Sequence, residues 1–208
     1  MPDAQRLRIE TAQRIAADIA ENFSDWASAR ARALDELKSE LGLIPAGAVP
    51  SSSEIESAVR AHYDLFSHAE HAELLKGKRL FALSLLQAFE NVDIFLTGAV
   101  LNGCAHADSI IVLDVFTDDV KAFEAALIDH GIDFEPVESP HSAMPDPLES
   151  LGALIYKRGS PTAEAVRFDL RPCSDRNRNP FRRKPDAYQQ PWEAQGRISA
   201  QQLRQVLF

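Results

Sequence analysis

Residues 92–116 most constrain what this chain can fold into. Val92 to Thr97 and Ile110 to Phe116 are runs rich in β-branched and aromatic residues, the composition of buried strands. Between them, Gly98 and Gly103 break the pattern, and Asp108-Ser109 lead back into the second run. The segment reads as strand, glycine turn, short polar connector and strand, so both strands belong to one sheet.

Nothing upstream of Asn91 has that character. Residues 4–23 place Leu7, Ile9, Ile15, Ile19 and Phe23 at helical spacing. A second helix is expected from Asp25 to Leu41, released at Gly42, followed by a loop from Leu43 to Ser53. Ser53-x-x-Glu56 resembles a capping box opening a helix with Ile55, Val59, Tyr63 and Phe66. A fourth helix runs from His68 to Phe89, with an apolar second half.

After Phe116, Asp118-Asp119 suit the positive end of a helix dipole, in a helix ending near His130-Gly131. Phe134 to Glu138 reads as a short strand, and Ser139 to Ser150, with Pro140, Pro145 and Pro147, as a loop. Leu154 to Lys157 and Ala163 to Leu170 suit a hairpin around Gly159-Ser160-Pro161. The stretch from Arg171 to Gly196 is polar and broken by prolines, and Ser199 caps a last short helix. Helices segregated before a small mixed sheet indicate an α+β fold. The expected organisation is a helical region over 1–90, an α+β core over 91–172 and an irregular basic tail over 173–208.

The formal net charge of −9 gives no global attraction to nucleic acid or to an anionic membrane. No apolar run is long enough to span a bilayer, and the N-terminus lacks the apolar core of a signal peptide. Cys104 and Cys173 are the two cysteines, with no CxxC spacing, which suits free thiols in a reducing cytoplasm.

The Thr97–Phe116 segment resembles the motif that opens the catalytic core of the nucleotidyltransferase superfamily. There a strand runs into a Gly-Ser or Gly-Gly turn, the next strand carries two alternating carboxylates for metal ions, and a later strand supplies a third. More narrowly, the chain resembles small proteobacterial proteins with a helical N-terminal half and a nucleotidyltransferase-like second half. Some of these carry a UDP-N-acetylmuramate–alanine ligase label. Such a ligase needs a Gly-rich ATP loop ending in Gly-Lys-Ser/Thr, which this sequence lacks.

The resemblance implies that Gly98, Ala99, Gly103 and Ser109 form a phosphate-binding turn, Ala99 replacing the usual Ser or Gly. It places the metal pair at Ile110 and Val112, both apolar, or in a register shifted by two at Val112 and Asp114. Asp169, in Phe168-Asp169-Leu170, matches the third carboxylate. Asp108, Asp114 and Asp169 are the remaining metal candidates. On one strand Asp108 and Asp114 would stand about 20 Å apart, too far to share a Mg²⁺ ion with ligands at about 2.1 Å. Asp114 and Asp169 can meet across neighbouring strands. Both also suit purely structural roles.

Other candidates carry less chemistry. Cys104 has only His106, two residues away, as a candidate base and suits an inert, partly buried thiol, while the His68/His71 pair, three residues apart with no carboxylate motif, reads as surface, as does His141. Arg167, Arg171, Arg176, Arg178, Arg182, Arg183 and Lys184, with Phe181, form a basic cluster. Its guanidinium forks suit phosphates: a nucleotide, an RNA end or an acidic protein surface would satisfy it, as would pairing with the acidic body.

The expected function is a catalytically degenerate nucleotidyltransferase-like protein that binds a phosphate-bearing ligand or partner, with no cofactor. One alternative is an active nucleotidyltransferase using Mg²⁺ at an atypical carboxylate site. Another is an interaction protein without ligand, a homo-oligomer joined through its N-terminal helices.

Overall fold

The computed structural model describes residues 4–139, 144–157 and 161–208. Pro140 and His141, and Gly159 and Ser160 at the expected hairpin, lie outside the described residues. The chain divides into two compact units, residues 1–73 with 186–188, and residues 74–185 with 189–208.

The first unit is helical: α1 (Ala4–Asn22), α2 (Trp26–Leu41), α3 (Ser52–Phe66) and the start of α4 (His68–Ala88). Helix α1 packs on both α2 and α3. Its buried face alternates Ile15 and Ile19 with Ala12 and Ala16, and α2 answers with Ala29, Ala33 and Leu37. Alanines at a helix contact let the two axes approach closely. Asp25 caps α2 by accepting from the Ser28 N–H at 3.0 Å, and Gly42 closes it with φ +73°. Helix α3 starts two residues earlier than its Ser53 signal. Ser51 is the N-cap, and Glu54 returns a bond to the Ser51 N–H at 2.8 Å. The chain leaves Pro50 and becomes helical at the first serine that can cap it. Arg60, buried on α3, donates to Asp186 at 2.6 and 3.1 Å. Phe23 is not part of the core: it sits exposed at φ +51° in the turn after α1. Ile9, Leu65 and Phe66 lie exposed along an open groove of about 570 Å³ between α1 and α3, floored by Ala12 and Ala58.

The second unit holds the rest of α4, then β1 (Asp93–Thr97), α5 (Gly98–Asn102), β2 (Ile111–Phe116), α6 (Val120–Asp129), β3 (Glu135–Pro136), β4 (Glu149–Tyr156), β5 (Ala163–Arg171) and α7 (Ala200–Leu207). The strands form one mixed sheet in the order β1-β2-β5-β4-β3. Among the described residues only β2 and β5 run parallel, and β1, β4 and β3 join antiparallel. The fold is therefore α+β, a mixed five-stranded sheet preceded in sequence by several helices.

Period-two alternation divides the sheet into two faces. One face is apolar: Ile94, Leu96, Ile111, Leu113, Val115, Leu151, Val166, Phe168 and Leu170 pack with Phe89 and with Phe123 of α6. The expected strand at 134–138 shrinks to Glu135–Pro136, while β4 begins at Glu149, inside the expected loop. Among the described residues no helix is long and apolar enough to cross a membrane.

Candidate functional site

The other face of the sheet carries the chemistry. Register places Phe95, Asp114, Asp169 and Ser150 in one row across β1, β2, β5 and β4. The next row holds Thr97, Val112, Arg167 and Gly152, and the row on the far side holds Asp93, Phe116 and Arg171. Val112 and Asp114 therefore share a face with Asp169, whereas Ile110 precedes the strand and is exposed.

Asp114 and Asp169 are both buried, and arginines hold each of them. Arg171 Nε donates to Asp114 Oδ1 at 2.9 Å, and its Nη1 donates to the Pro145 carbonyl at 2.7 Å. Arg167 donates two bonds to Asp169, at 2.9 and 3.1 Å, and the Ser150 hydroxyl adds a third at 2.7 Å. Burial pushes the Asp114 carboxyl above its ordinary pKa. The Arg171 bond pulls it part of the way back, and the neighbouring Asp169 charge pushes it up again.

The C-terminal tail runs along the β1 edge of this face. Thr97 Oγ1 donates to the Gly196 carbonyl at 2.8 Å, and Leu96 and Ile198 exchange two backbone bonds of 3.0 Å. The Arg197 guanidinium lies 4.8 Å from the Phe116 ring centre and 5.8 Å from that of Phe95. Arg176 pairs with Asp93 and lies 5.5 Å from the Phe95 centre. Burial pulls Arg197 below its ordinary pKa, while Asp114 favours its charge and Arg171 and Arg176 oppose it.

The glycine turn is not an open loop. Gly98 to Asn102 form a short helix, with Gly98 at φ +71° and Gly103 closing it at φ +84°. So short a helix has no periodicity to read in sequence. Gly98 is exposed and Ala99 is half-buried. The Thr97 side chain makes no cap bond to the helix. Ser109 is committed elsewhere: its hydroxyl accepts from the His106 N–H at 2.9 Å, and its carbonyl accepts from Lys78 at 2.9 Å. Burial holds the His106 imidazole below its ordinary pKa, and nearby Asp108 opposes this.

Asp108 does not sit on a strand. It lies exposed in the turn before β2, where its N–H donates to His106 Nδ1. The six-residue strand spacing expected for Asp108 and Asp114 therefore does not exist, because the chain turns between them. His68 bonds to Asp64 at 2.8 Å, and His71 stacks on Tyr63 with ring centres 3.7 Å apart, so the two histidines serve different partners. Cys104 is buried and Cys173 exposed, both as free thiols.

Two buried cations on α4 were hidden in what reads as its apolar half. Lys78 bonds the Ser109 carbonyl and Glu164 Oε2. Arg79 bonds the Val100 and Leu101 carbonyls, pairs with Glu193, and lies 4.5 Å from the Trp192 ring centre. Together they hold both ends of the connector between β1 and β2. Arg167 and Arg171 did carry a signal. The sequence Arg167-Phe168-Asp169-Leu170-Arg171 alternates charged and apolar residues at strand period, which marks a charged sheet face.

A divalent ion needs several free oxygens at short range. Here both carboxylates are engaged by guanidinium groups and Val112 supplies none, so these residues do not fit a metal ion. Among the described residues, no group of three or more His, Cys, Asp or Glu side chains is placed to hold one. No family model, no curated protein and no solved structure matches this chain.

Proposed function

We propose that the chain is a nucleotidyltransferase-like protein that has lost metal-dependent transfer and acts as a binding or regulatory module for a phosphate-bearing ligand or partner. The order of β1, glycine turn, β2 and a parallel β5 with Asp169 opposite Asp114 supports the superfamily reading. The observation that carries the loss of chemistry is the pairing of Arg171 with Asp114 and of Arg167 with Asp169 inside a buried face. A metal ion would have to displace both guanidinium groups and would still find Val112 where its third oxygen belongs.

Gly98, exposed at the end of β1 beside Val112, is where a ligand can approach the backbone closely. The two free thiols are in keeping with a reducing, cytoplasmic setting. Titration of the purified protein with nucleoside triphosphates, with and without Mg²⁺, tests the reading. Binding that is the same in both conditions, with no nucleotide transferred to any acceptor, is the expected result. Transfer in Mg²⁺ or Mn²⁺ that disappears in Asp114→Ala overturns it.

The register of Asp114 against Asp169 favours one competing reading, an active enzyme built on those two carboxylates. That enzyme requires the arginines to leave, so its nucleotide binding would depend on metal. If no nucleotide binds under either condition, both readings give way to a purely structural role.

A further inference from the structure

We propose that residues 176–184 form a docking surface for the phosphate backbone of single-stranded nucleic acid. These nine residues carry Arg176, Arg178, Arg182, Arg183 and Lys184 and no acidic residue, in a chain of net charge −9. The inference rests on this loop alone and does not depend on the nucleotidyltransferase-like reading.

The loop is pinned from inside. Arg197 Nη2 donates to the carbonyls of Arg176 and Arg178, and Asn179 Nδ2 donates to the Gln195 carbonyl at 2.8 Å. The Arg183 N–H donates to the Ala194 carbonyl at 2.9 Å. Gly196, at φ +75°, lets the two segments meet: a Cβ there would stand 2.7 Å from Arg182 N and from Phe181 C. The backbone is therefore held by its interior while the side chains of Arg182, Arg183 and Lys184 project into solvent.

The charges of Arg182 and Lys184 do little for the fold. Arg176 pairs with Asp93, and Arg178, 64% exposed at its side chain, reaches Asp175 only at 3.4 Å. Arg182 and Lys184 have no ion-pair partner among the described residues. A fixed frame presenting cations binds a polyanion with less ordering cost than a mobile tail does. Four of the five cations are arginines, whose forks grip phosphate oxygens and whose planes stack on bases. Phe181, half-buried at the loop, adds an aromatic face. Stacking surfaces suit nucleobases and offer nothing to an acidic peptide. The acidic remainder of the chain repels any polyanion that strays from the loop, which favours a flexible single strand over a rigid duplex.

The test is fluorescence anisotropy of labelled oligouridylate and oligothymidylate with the full chain, from about 50 to about 200 mM salt. Both oligomers are expected to bind. The variant Arg182→Gln/Arg183→Gln/Lys184→Gln should bind at least about tenfold more weakly, with a salt slope lower by about 2, since each phosphate neutralised on a single strand contributes about 0.7. Lys76→Gln/Lys121→Gln/Arg204→Gln, which removes the same charge from other exposed positions, should retain the native affinity. Circular dichroism and melting confirm that both variants are folded. Binding of RNA but not DNA, or the reverse, assigns the strand type within the proposal. The proposal is overturned if neither oligomer binds at low salt, if the loop variant binds like the native chain, or if polyglutamate displaces the oligomers as well as unlabelled oligomer does.

Discussion

Asp114 and Asp169 stand opposite each other on adjacent parallel strands, each 2% exposed. Neighbouring strands lie about 4.8 Å apart, so two negative charges are held close together in a medium that screens them poorly. Arg171, bonded to Asp114 and 3.9 Å from Asp169, and Arg167, bonded to Asp169, make that arrangement tolerable. The face works as a network of charges in which each arginine offsets a buried carboxylate.

Removing an arginine alone should therefore cost far more than removing it together with the charge it offsets. Arg171→Met keeps most of the side-chain volume but leaves Asp114 buried without its donor, with an expected loss of about 3–5 kcal/mol. Adding Asp114→Asn removes the stranded charge and should recover a large part of that loss. Urea unfolding of the native, single and double variants measures both. A single variant within about 1 kcal/mol of the native chain would mean that the network is not integral to the fold.

The response to acid should differ between the two units. In the helical unit four carboxyls are held below the usual range. Burial raises Asp18 and Asp186, but their bonds to Arg32 and Arg60, with those from other neighbours, outweigh it. Asp25 is lowered by its cap bonds from Ser28, and Glu54 by the Ser51 N–H. Below about pH 4 the unfolded chain binds more protons at these groups than the folded one. Their stabilisation is thus present above that pH and lost as pH falls through the folded values. Asp114 has the opposite sign: its raised pKa means that protonation relieves a penalty, so its contribution improves as pH falls. Amide exchange followed from neutral pH down to about 3 should show α1, α2 and α3 losing protection before β2 and β5. Simultaneous loss, or loss from the strands first, would refute the assignment.

Ser51 and Ser53 separate what the sequence signals from what the chain adopts. Both head an S-x-x-E pattern, Ser51 with Glu54 and Ser53 with Glu56, and both registers leave Ile55, Val59 and Tyr63 on the buried face. Local pattern alone does not choose between them. The structure closes the box at Ser51, so Ser51→Ala should cost about 1 kcal/mol and Ser53→Ala only a few tenths. Thermal unfolding of the two variants decides it, and equal losses would remove the assignment.

The same division runs through the candidate site. The succession of strands along the chain and the possible meeting of Asp114 with Asp169 were legible, because β-branched runs and period-two alternation are local signals, whereas the order of the strands within the sheet was not. The arginine clamps were half-legible in the alternation from Arg167 to Arg171. The roles of Arg197, Lys78 and Arg79 were not, since each is defined by a partner distant in sequence, such as Glu193 for Arg79 and Glu164 for Lys78. The basic tail reads as irregular because its prolines exclude repeating structure. Its order comes from bonds to the 194–197 segment and to the sheet.

That order depends on Gly196. Its φ of +75° disfavours a side chain, and an added Cβ would meet Asn179 Oδ1 at 2.5 Å and backbone atoms of Phe181 and Arg182 at 2.7 Å. The Asn179 amide can rotate away, but the backbone contacts can be relieved only by moving the loop. Gly196→Ala should therefore cost about 2–4 kcal/mol, the sum of backbone strain and overpacking. It should also loosen the carbonyl bonds that Arg197 makes to Arg176 and Arg178. Trypsin reads this out directly, because Arg178, Arg182 and Arg183 are cleavage sites on a backbone that is pinned in the native chain, whereas Lys184, followed by Pro185, is not cut. Cleavage there should accelerate in the variant under conditions where the sheet stays folded. An unchanged cleavage rate with an unchanged melting temperature would show that the tail is not held by this contact.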